Sequence, residues 1–431
     1  MGSLHGPYRA VTVFREISEV LAEASAKVKP LDRVISMRTR DAVGLILARD
    51  VVAPSDHPPL DMSHMDGFAV RSADTIGASE KEPVFLKVVG SIGPGGRHGK
   101  IDEGLAVRIH TGGYLPQGAD TVIRQEDVDL VVGDKIVVTR KYEPLENVVQ
   151  AGSEVREGEI LARRGEVLGP VMASLLETLG VTSVEVESPV RVAIISIGDE
   201  LTDDPAKVRE GKILNTHGHL IYHMLGRLFC EPLKPVIVPD DPDRIRGALM
   251  DAVRESDCVL TIGGSSVGDI DFLAAELKRV AELFIQGVKL QPGRVGGVAV
   301  ISGKPLVMLP GLIHSTLNVF NYLAVPILAT LTGTKIEQFF LKVKALLDSE
   351  INFPKRRNFK RIVWVSLSLR KGGYLARPNI ADASNIRSIA ISHGYVELPP
   401  DVERIGAGEL VDVRIPLYLL DTGLNIFDKV L

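Results

Sequence analysis

RVAIISIG (191–198), KPVIVP (234–239), DCVLTIGG (257–264) and PLVMLPG (305–311) are four short apolar runs, each ending in glycine or proline. Between them LIYHMLGRLF (220–229) and DRIRGALMDAVRE (243–255) place apolar residues three and four apart. Short continuous apolar runs bounded by turn residues read as strands buried on both faces, and amphipathic stretches between them read as helices. This alternation predicts a three-layer α/β domain with a mostly parallel sheet.

The texture differs on either side. Val13, Ile17, Val20 and Leu21 recur at helical spacing, and Ala42 to Leu47 repeat it, so residues 9–53 read as a helical scaffold. From Pro54 the chain turns to VFLKVVGSI, LAVRIHTGG, DTVIRQEDVDLVV and KIVVTRKY, short runs cut by glycine and proline, which predict an inserted β subdomain. Helical pattern resumes around Gly169 to Leu179. After Thr332, FKRIVWVSLSL, GYLARPN, GYVELPP and ELVDVRIPLYLL predict a small C-terminal β domain or barrel.

A chain of 431 residues exceeds what one core serves, so two to four domains are expected. The net charge of -5 argues against nucleic acid, which needs a broad basic face; any anionic ligand must meet a local cluster. Cys230 and Cys258 sit in apolar stretches without CxxC spacing, which predicts buried thiols rather than a disulfide or zinc site. The N-terminus lacks the pattern of a signal peptide and no apolar run approaches about 20 residues. A cytoplasmic protein without a membrane partner is expected.

Ligands of open α/β sheets bind beyond the carboxyl ends of strands. Three loops lie there: Gly198-Asp199-Glu200, Gly263-Gly264-Ser265-Ser266-Val267-Gly268-Asp269, and Leu309-Pro310-Gly311. The second offers glycines for backbone approach to an anion, two hydroxyls and a following helix, all suited to phosphate, though it matches neither a Walker motif nor GxGxxG. A plain strand-to-helix turn capped by Asp269 explains the same loop. Asp271, Asp199 and Glu200 add carboxylates that suit a hard divalent cation, or that merely complement helix dipoles.

PPLDMSHMDGFAV (58–70), IHTGGYLPQGADTVIRQED (109–127), AIISIGDEL (193–201), GGSSVGDIDF (263–272) and MLPG (308–311), in this order, resemble the MoeA family, including the corresponding domain of gephyrin-type proteins. The resemblance extends through RPNIADASNIRSIAISHGYVELPPDVERIGAGELVDV. It implies a multidomain α/β and β architecture: a helical domain (1–53 and 146–188), an inserted β subdomain (54–145), a MogA-like α/β domain (189–335) and a C-terminal β barrel (336–431). It also implies a homodimer whose site joins Asp61, Ser63 and Asp66 of one subunit to the α/β pocket of the other. The implied reaction inserts molybdate or tungstate into adenylylated molybdopterin and releases AMP, with Mg2+. Asp61, Glu200 and Asp271 would be catalytic, with Asp269 and Asp271 on the metal. Ser63, Asp66, Gly263, Gly264, Ser265, Ser266, Asp269, Lys289, Arg294, Pro310 and Gly311 would bind substrate. The molybdopterin adenylyltransferase is an implied partner. A non-catalytic pterin carrier, and the adenylyltransferase reaction itself, are the alternatives.

Several positions depart from the family pattern. Its Asp-Ser/Thr-Asn triplet is Asn215-Thr216-His217, its Lys-Pro-Gly-Lys is Gln291-Pro292-Gly293-Arg294, and its Pro-Gly-Asn-Pro is Pro310-Gly311-Leu312-Ile313, followed by His314. Arg294 keeps a cation able to grip an oxyanion by two prongs, and Lys289 is expected to replace the other charge in part, from a displaced position. His219 and His223, four apart after His217, share a helix face, but no HExxH glutamate accompanies them, so a metal site is the weaker reading.

Overall fold

The computed structural model describes residues 11, 13–128, 131–228, 230–264, 272–353 and 358–419. Helix α1 (Ile17–Lys27) does not pack within its own segment: its buried residues Val20 and Ala24 enter the core of the α/β domain. Downstream, Val34–Arg38 pairs antiparallel with Ser183–Glu187, and helix α2 (Pro170–Thr178) covers that ribbon with Leu176 and Ala173. The helical periodicity over Ala42–Leu47 is not realised. Thr39–Ala42 is one 3-10 turn, Gly44 takes φ +87°, and Ile46 and Leu47 form single bridges to Val167 and Val186. A left-handed glycine ends the helical path, so the apolar spacing there serves two opposite contacts instead of one helix face.

The inserted region forms a six-stranded sheet in the order Thr121–Arg124, Gly67–Val70, Leu105–Ile109, Val84–Ile92, Lys135–Val138, Val131–Val132. In the α/β domain Val190–Ile197 runs parallel to Cys230–Pro232, Val236–Val238 and Cys258–Gly263, and Lys304–Leu309 extends the sheet in parallel. Gly297–Ile301 and Leu283–Gln286 complete it antiparallel. The reversal comes at Ser302-Gly303, both with positive φ (53° and 75°), the two-residue turn whose twist matches a hairpin. Helix α3 (Thr216–Leu225) joins α1 on one face through Ile221 and Leu225. Helices α4 (Pro242–Glu255) and α5 (Phe272–Val280) cover the other, where Ile245, Leu249 and Leu277 meet Ile195 and Val259. The three layers and the mostly parallel sheet agree with the alternation of apolar runs.

Leu290–Gln291 leaves this domain to pair with Lys360–Arg370 in a second six-stranded sheet, closed by the additional pairing of Lys360–Arg370 with Gly394–Leu398. This is the C-terminal barrel. Between the two domains runs a continuous helix, Ile313–Thr332, beginning as α6 (Ile313–Val319) and passing through a π turn at Phe320–Ala324. By length and composition it is apolar enough to span a membrane, contrary to the expectation that no segment reaches that length, but 89% of its most apolar window is buried inside the protein. Its polar side chains meet the barrel. The Trp364 indole N–H donates to Asn318 Oδ1 (3.1 Å), Tyr418 donates to Asn321, and His314 Nε2 lies 2.8 Å from Ser388 Oγ.

Candidate functional site

Register decides where the site lies. Ile197 stands beside Gly263, and Ile262 beside Leu309, so the ends of three parallel strands deliver Gly198, Gly263 and Pro310 side by side. A cavity of about 140 Å³ opens there, lined by Ser196, Glu200, Asn215, Thr216, His217, Gly263 and Gly311 among others. Gly263 has φ +83°, and a Cβ on it would stand 2.5 Å from the Ile197 carbonyl oxygen, so only glycine permits this approach of two strand ends.

The floor of the cavity is a polar cluster. Asn215 caps α3: its Oδ1 accepts from Gly218 N (3.2 Å) and from Ser196 Oγ (2.7 Å). Asn is a favoured cap because its short side chain satisfies a first-turn N–H that has no partner inside the helix. His217, one residue into that helix beyond Thr216, lines the cavity with Gly311, and burial pushes its pKa below the usual imidazole value. A neutral imidazole therefore stands between the start of α3 and the Pro310-Gly311 turn. On the far side of that turn the His314 backbone N–H donates to Ala383 O (3.0 Å), and burial depresses its imidazole as well.

Glu200 borders the cavity with its carboxylate folded against Gly198, and among the described residues it has no hydrogen-bonded or ionic partner. Asp199 is occupied differently. Its Oδ1 accepts from Asp240 N and its own N–H donates to Asp240 Oδ2, each at 3.2 Å, which fastens two strand ends together. Gly264 follows Gly263 at φ +68° and lies against Ile197. Ser265, Ser266, Asp269 and Asp271 lie outside the described residues.

Lys289 and Arg294 do not line the cavity; they stand on a neighbouring loop beside α6. Asn318 of α6 donates to Pro292 O (3.0 Å), fixing that loop. Lys289 Nζ pairs with Glu16 Oε1 at 2.6 Å, while Arg294 makes no ion pair among the described residues and sits 6.0 Å from the Phe14 ring centre. Gln291, which stands at the first lysine of the Lys-Pro-Gly-Lys pattern, keeps its Oε1 buried and without a partner among the described residues.

Asp61, Ser63 and Asp66 hold together a different loop. Asp61 Oδ1 accepts from Ala151 N (2.8 Å), and buried Ser63 donates its hydroxyl to Met65 O. Asp66 accepts from Thr111 N (2.7 Å) and Thr111 Oγ1 (3.0 Å), and these bonds, with His110 nearby, hold its carboxyl below the usual range. None of these residues lines the cavity of its own chain. Sequence reading missed Ser196 and Glu16. The first is signalled by a lone hydroxyl inside an otherwise apolar strand, whereas Glu16 carries no signal of its own, because its partner Lys289 lies 273 positions away.

Comparison with known proteins supplies the family. The model described as "MoeA N-terminal region (domain I and II)" matches residues 15–180, "Probable molybdopterin binding domain" matches 193–330, and "MoeA C-terminal region (domain IV)" matches 347–415. A molybdopterin molybdenumtransferase of Staphylococcus aureus is 32% identical over 382 residues, covering 88% of this chain and 90% of that protein. The crystal structure of a molybdopterin biosynthesis MoeA protein of Pyrococcus horikoshii superposes with a TM-score of 0.80 at 31% identity, covering 94% of this chain and 99% of that one. A second structure of a MoeA protein from that organism gives a TM-score of 0.79 at 29% identity, with 94% and 100% coverage.

Proposed function

The chain belongs to the MoeA family, and from that membership we propose that it acts in molybdenum cofactor biosynthesis, inserting molybdate or tungstate into adenylylated molybdopterin and releasing AMP. The observation that carries the catalytic reading is Glu200, a carboxylate without a partner among the described residues, at a cavity formed by three strand ends. Mg2+ suits this inventory. It keeps several waters and needs only one or two protein carboxylates beside substrate phosphate oxygens, and Glu200 supplies one, with Asp269 and Asp271 assigned the remainder by the resemblance. When bound, the cation would neutralise charge developing on the pyrophosphate.

The protein's own groups divide the remaining work. Gly263 and Gly311 let the substrate approach the backbone, and His217 lines the same cavity as a neutral imidazole. Arg294, with Lys289, would receive the tetrahedral oxyanion by charge-assisted hydrogen bonds. Asp61, Ser63 and Asp66 are occupied in a loop of their own that lines no part of the cavity in one chain. We infer that they complete the site of a second subunit in a homodimer, that the substrate is received from the adenylyltransferase, and that the protein works in the cytoplasm.

The test is direct: purified chain, adenylylated molybdopterin, Mg2+ and molybdate, with AMP and finished cofactor both measured. AMP release stoichiometric with cofactor supports the transferase. Pterin binding without AMP release refutes it in favour of a carrier, and ATP-dependent formation of the adenylylated pterin would indicate the upstream reaction.

A further inference from the structure

We propose, resting on the reading that Lys289 and Arg294 receive the oxyanion, that Glu16 is a resident anion on Lys289 which the incoming oxyanion displaces. The segment before α1 thereby sets the protein's oxyanion affinity. Its seating is specific. Arg15 N–H donates to Gly287 O (3.1 Å) and Lys289 N–H donates to Arg15 O (2.8 Å), so a short parallel bridge between Arg15 and Val288 fixes the register of the two segments. Gly287 has φ +102°, and a Cβ there would meet Val11 Cγ1 and Val13 O at 2.5 Å each, so the glycine allows the segment to lie flat on the loop. Phe14 packs edge-on against Phe359 at 5.2 Å. Val20 and Ala24 anchor the helix that follows.

This register brings Glu16 onto Lys289, with Oε1 and Nζ 2.6 Å apart. The cation of the segment is engaged elsewhere: Arg15 pairs with Glu23 at 2.6 Å and Glu19 at 3.6 Å. Arg294, 6.0 Å from the Phe14 ring, has no carboxylate partner among the described residues. Among the described residues Lys289 and Arg294 are thus the two cations of this loop, and Lys289 is neutralised by a side chain that a dianion can replace. Side-chain exposures of 29% for Lys289 and 47% for Glu16 let the exchange proceed through water while the backbone bridge stays closed. The Lys289–Glu16 pair therefore competes with substrate, and an exposed pair of this kind is weak enough to yield while still costing affinity.

The experiment titrates sodium molybdate into the full chain by calorimetry at low and high salt. Glu16→Gln should lower the Kd about two- to five-fold at low salt, the range an exposed ion pair spans, and the gain should shrink as salt screens the pair. Glu19→Gln makes the same change of net charge one helical turn away and should leave the Kd unchanged. Lys289→Met should raise the Kd and abolish the response to Glu16→Gln. An unchanged Kd in Glu16→Gln, or an equal gain in Glu19→Gln, overturns the proposal while leaving the site reading intact. A Kd unaffected by Lys289→Met, or no measurable binding by the unmodified chain, overturns the site reading itself and the proposal with it.

Discussion

Asn318 joins three parts of the molecule, and its replacement by alanine is the most informative perturbation of the fold around the site. Its Oδ1 accepts from the Trp364 indole of the barrel (3.1 Å), and its Nδ2 donates to the carbonyl of Pro292 in the loop that carries Arg294 (3.0 Å). Asn318 is fully buried and Trp364 is 2% exposed, so Asn318→Ala leaves a buried indole donor and a part-buried carbonyl acceptor without these partners. Each orphaned group costs about 1–3 kcal/mol. Water entering the small gap recovers part of that, which places the expected loss at about 2–4 kcal/mol. Trp364 is the only tryptophan in the chain, so its fluorescence follows unfolding of this junction in urea without interference. Trp364→Phe gives the other edge of a double-mutant cycle, with stability followed by circular dichroism, and the two changes should be less than additive because the same hydrogen bond is removed once. A loss in Asn318→Ala below about 0.5 kcal/mol, the size of an ordinary surface change, would refute the argument that this side chain locks the barrel to the loop.

Glu200→Gln is isosteric and breaks no side-chain pairing among the described residues, so the fold should persist by circular dichroism while AMP release falls by about two orders of magnitude or more; undiminished turnover removes Glu200 from the mechanism. Mixing inactive Glu200→Gln with inactive Asp61→Asn under subunit exchange should restore about a quarter of wild-type activity, because half the dimers are mixed and each carries one intact site. No recovery despite demonstrated exchange refutes a shared site. Burial depresses the pKa of both His217 and His314 below 6.5, so both are neutral in the folded chain. Above pH 6.5 neither state binds these protons; below it the unfolded chain takes them up first, so stability should fall as pH drops from 6.5 toward the depressed values. Urea midpoints at pH 7.5 and 5.5 should converge in the His217→Asn, His314→Gln double variant, and an equal decline in that variant refutes the assignment. Gly263→Ala must take φ +83° with its Cβ against the Ile197 carbonyl; a loss of about 1–3 kcal/mol with reduced ligand binding is expected, and a neutral effect on melting temperature would contradict the described backbone.

The α/β domain was legible because its evidence is local. Four apolar runs ending in glycine or proline carry both strand and turn information, and burial on both sheet faces leaves little other use for such runs. The barrel and the inserted sheet announced themselves for the same reason. Ala42–Leu47 was misread because periodicity alone does not reveal that Gly44 adopts a left-handed conformation and sends the apolar residues to two different neighbours. The helix Ile313–Thr332 escaped the sequence reading because His314, Asn318 and Asn321 interrupt its apolar run, and only packing shows that these three form a seam against the barrel.

The sequence by itself determined which residue types arrive at the strand ends, and the motifs that carry them were specific enough to give the family. Tertiary structure alone decided which of those groups are free to act. Asp199 and Asp66 carry the same charge as Glu200, yet one closes a pair with Asp240 and another is held by Thr111, while Glu200 lines the cavity without a partner among the described residues. Lys289 keeps its charge but spends its contact on Glu16, 273 positions away. A side chain's chemical type is written at one position in the chain, whereas its availability depends on partners that only folding brings within hydrogen-bond distance.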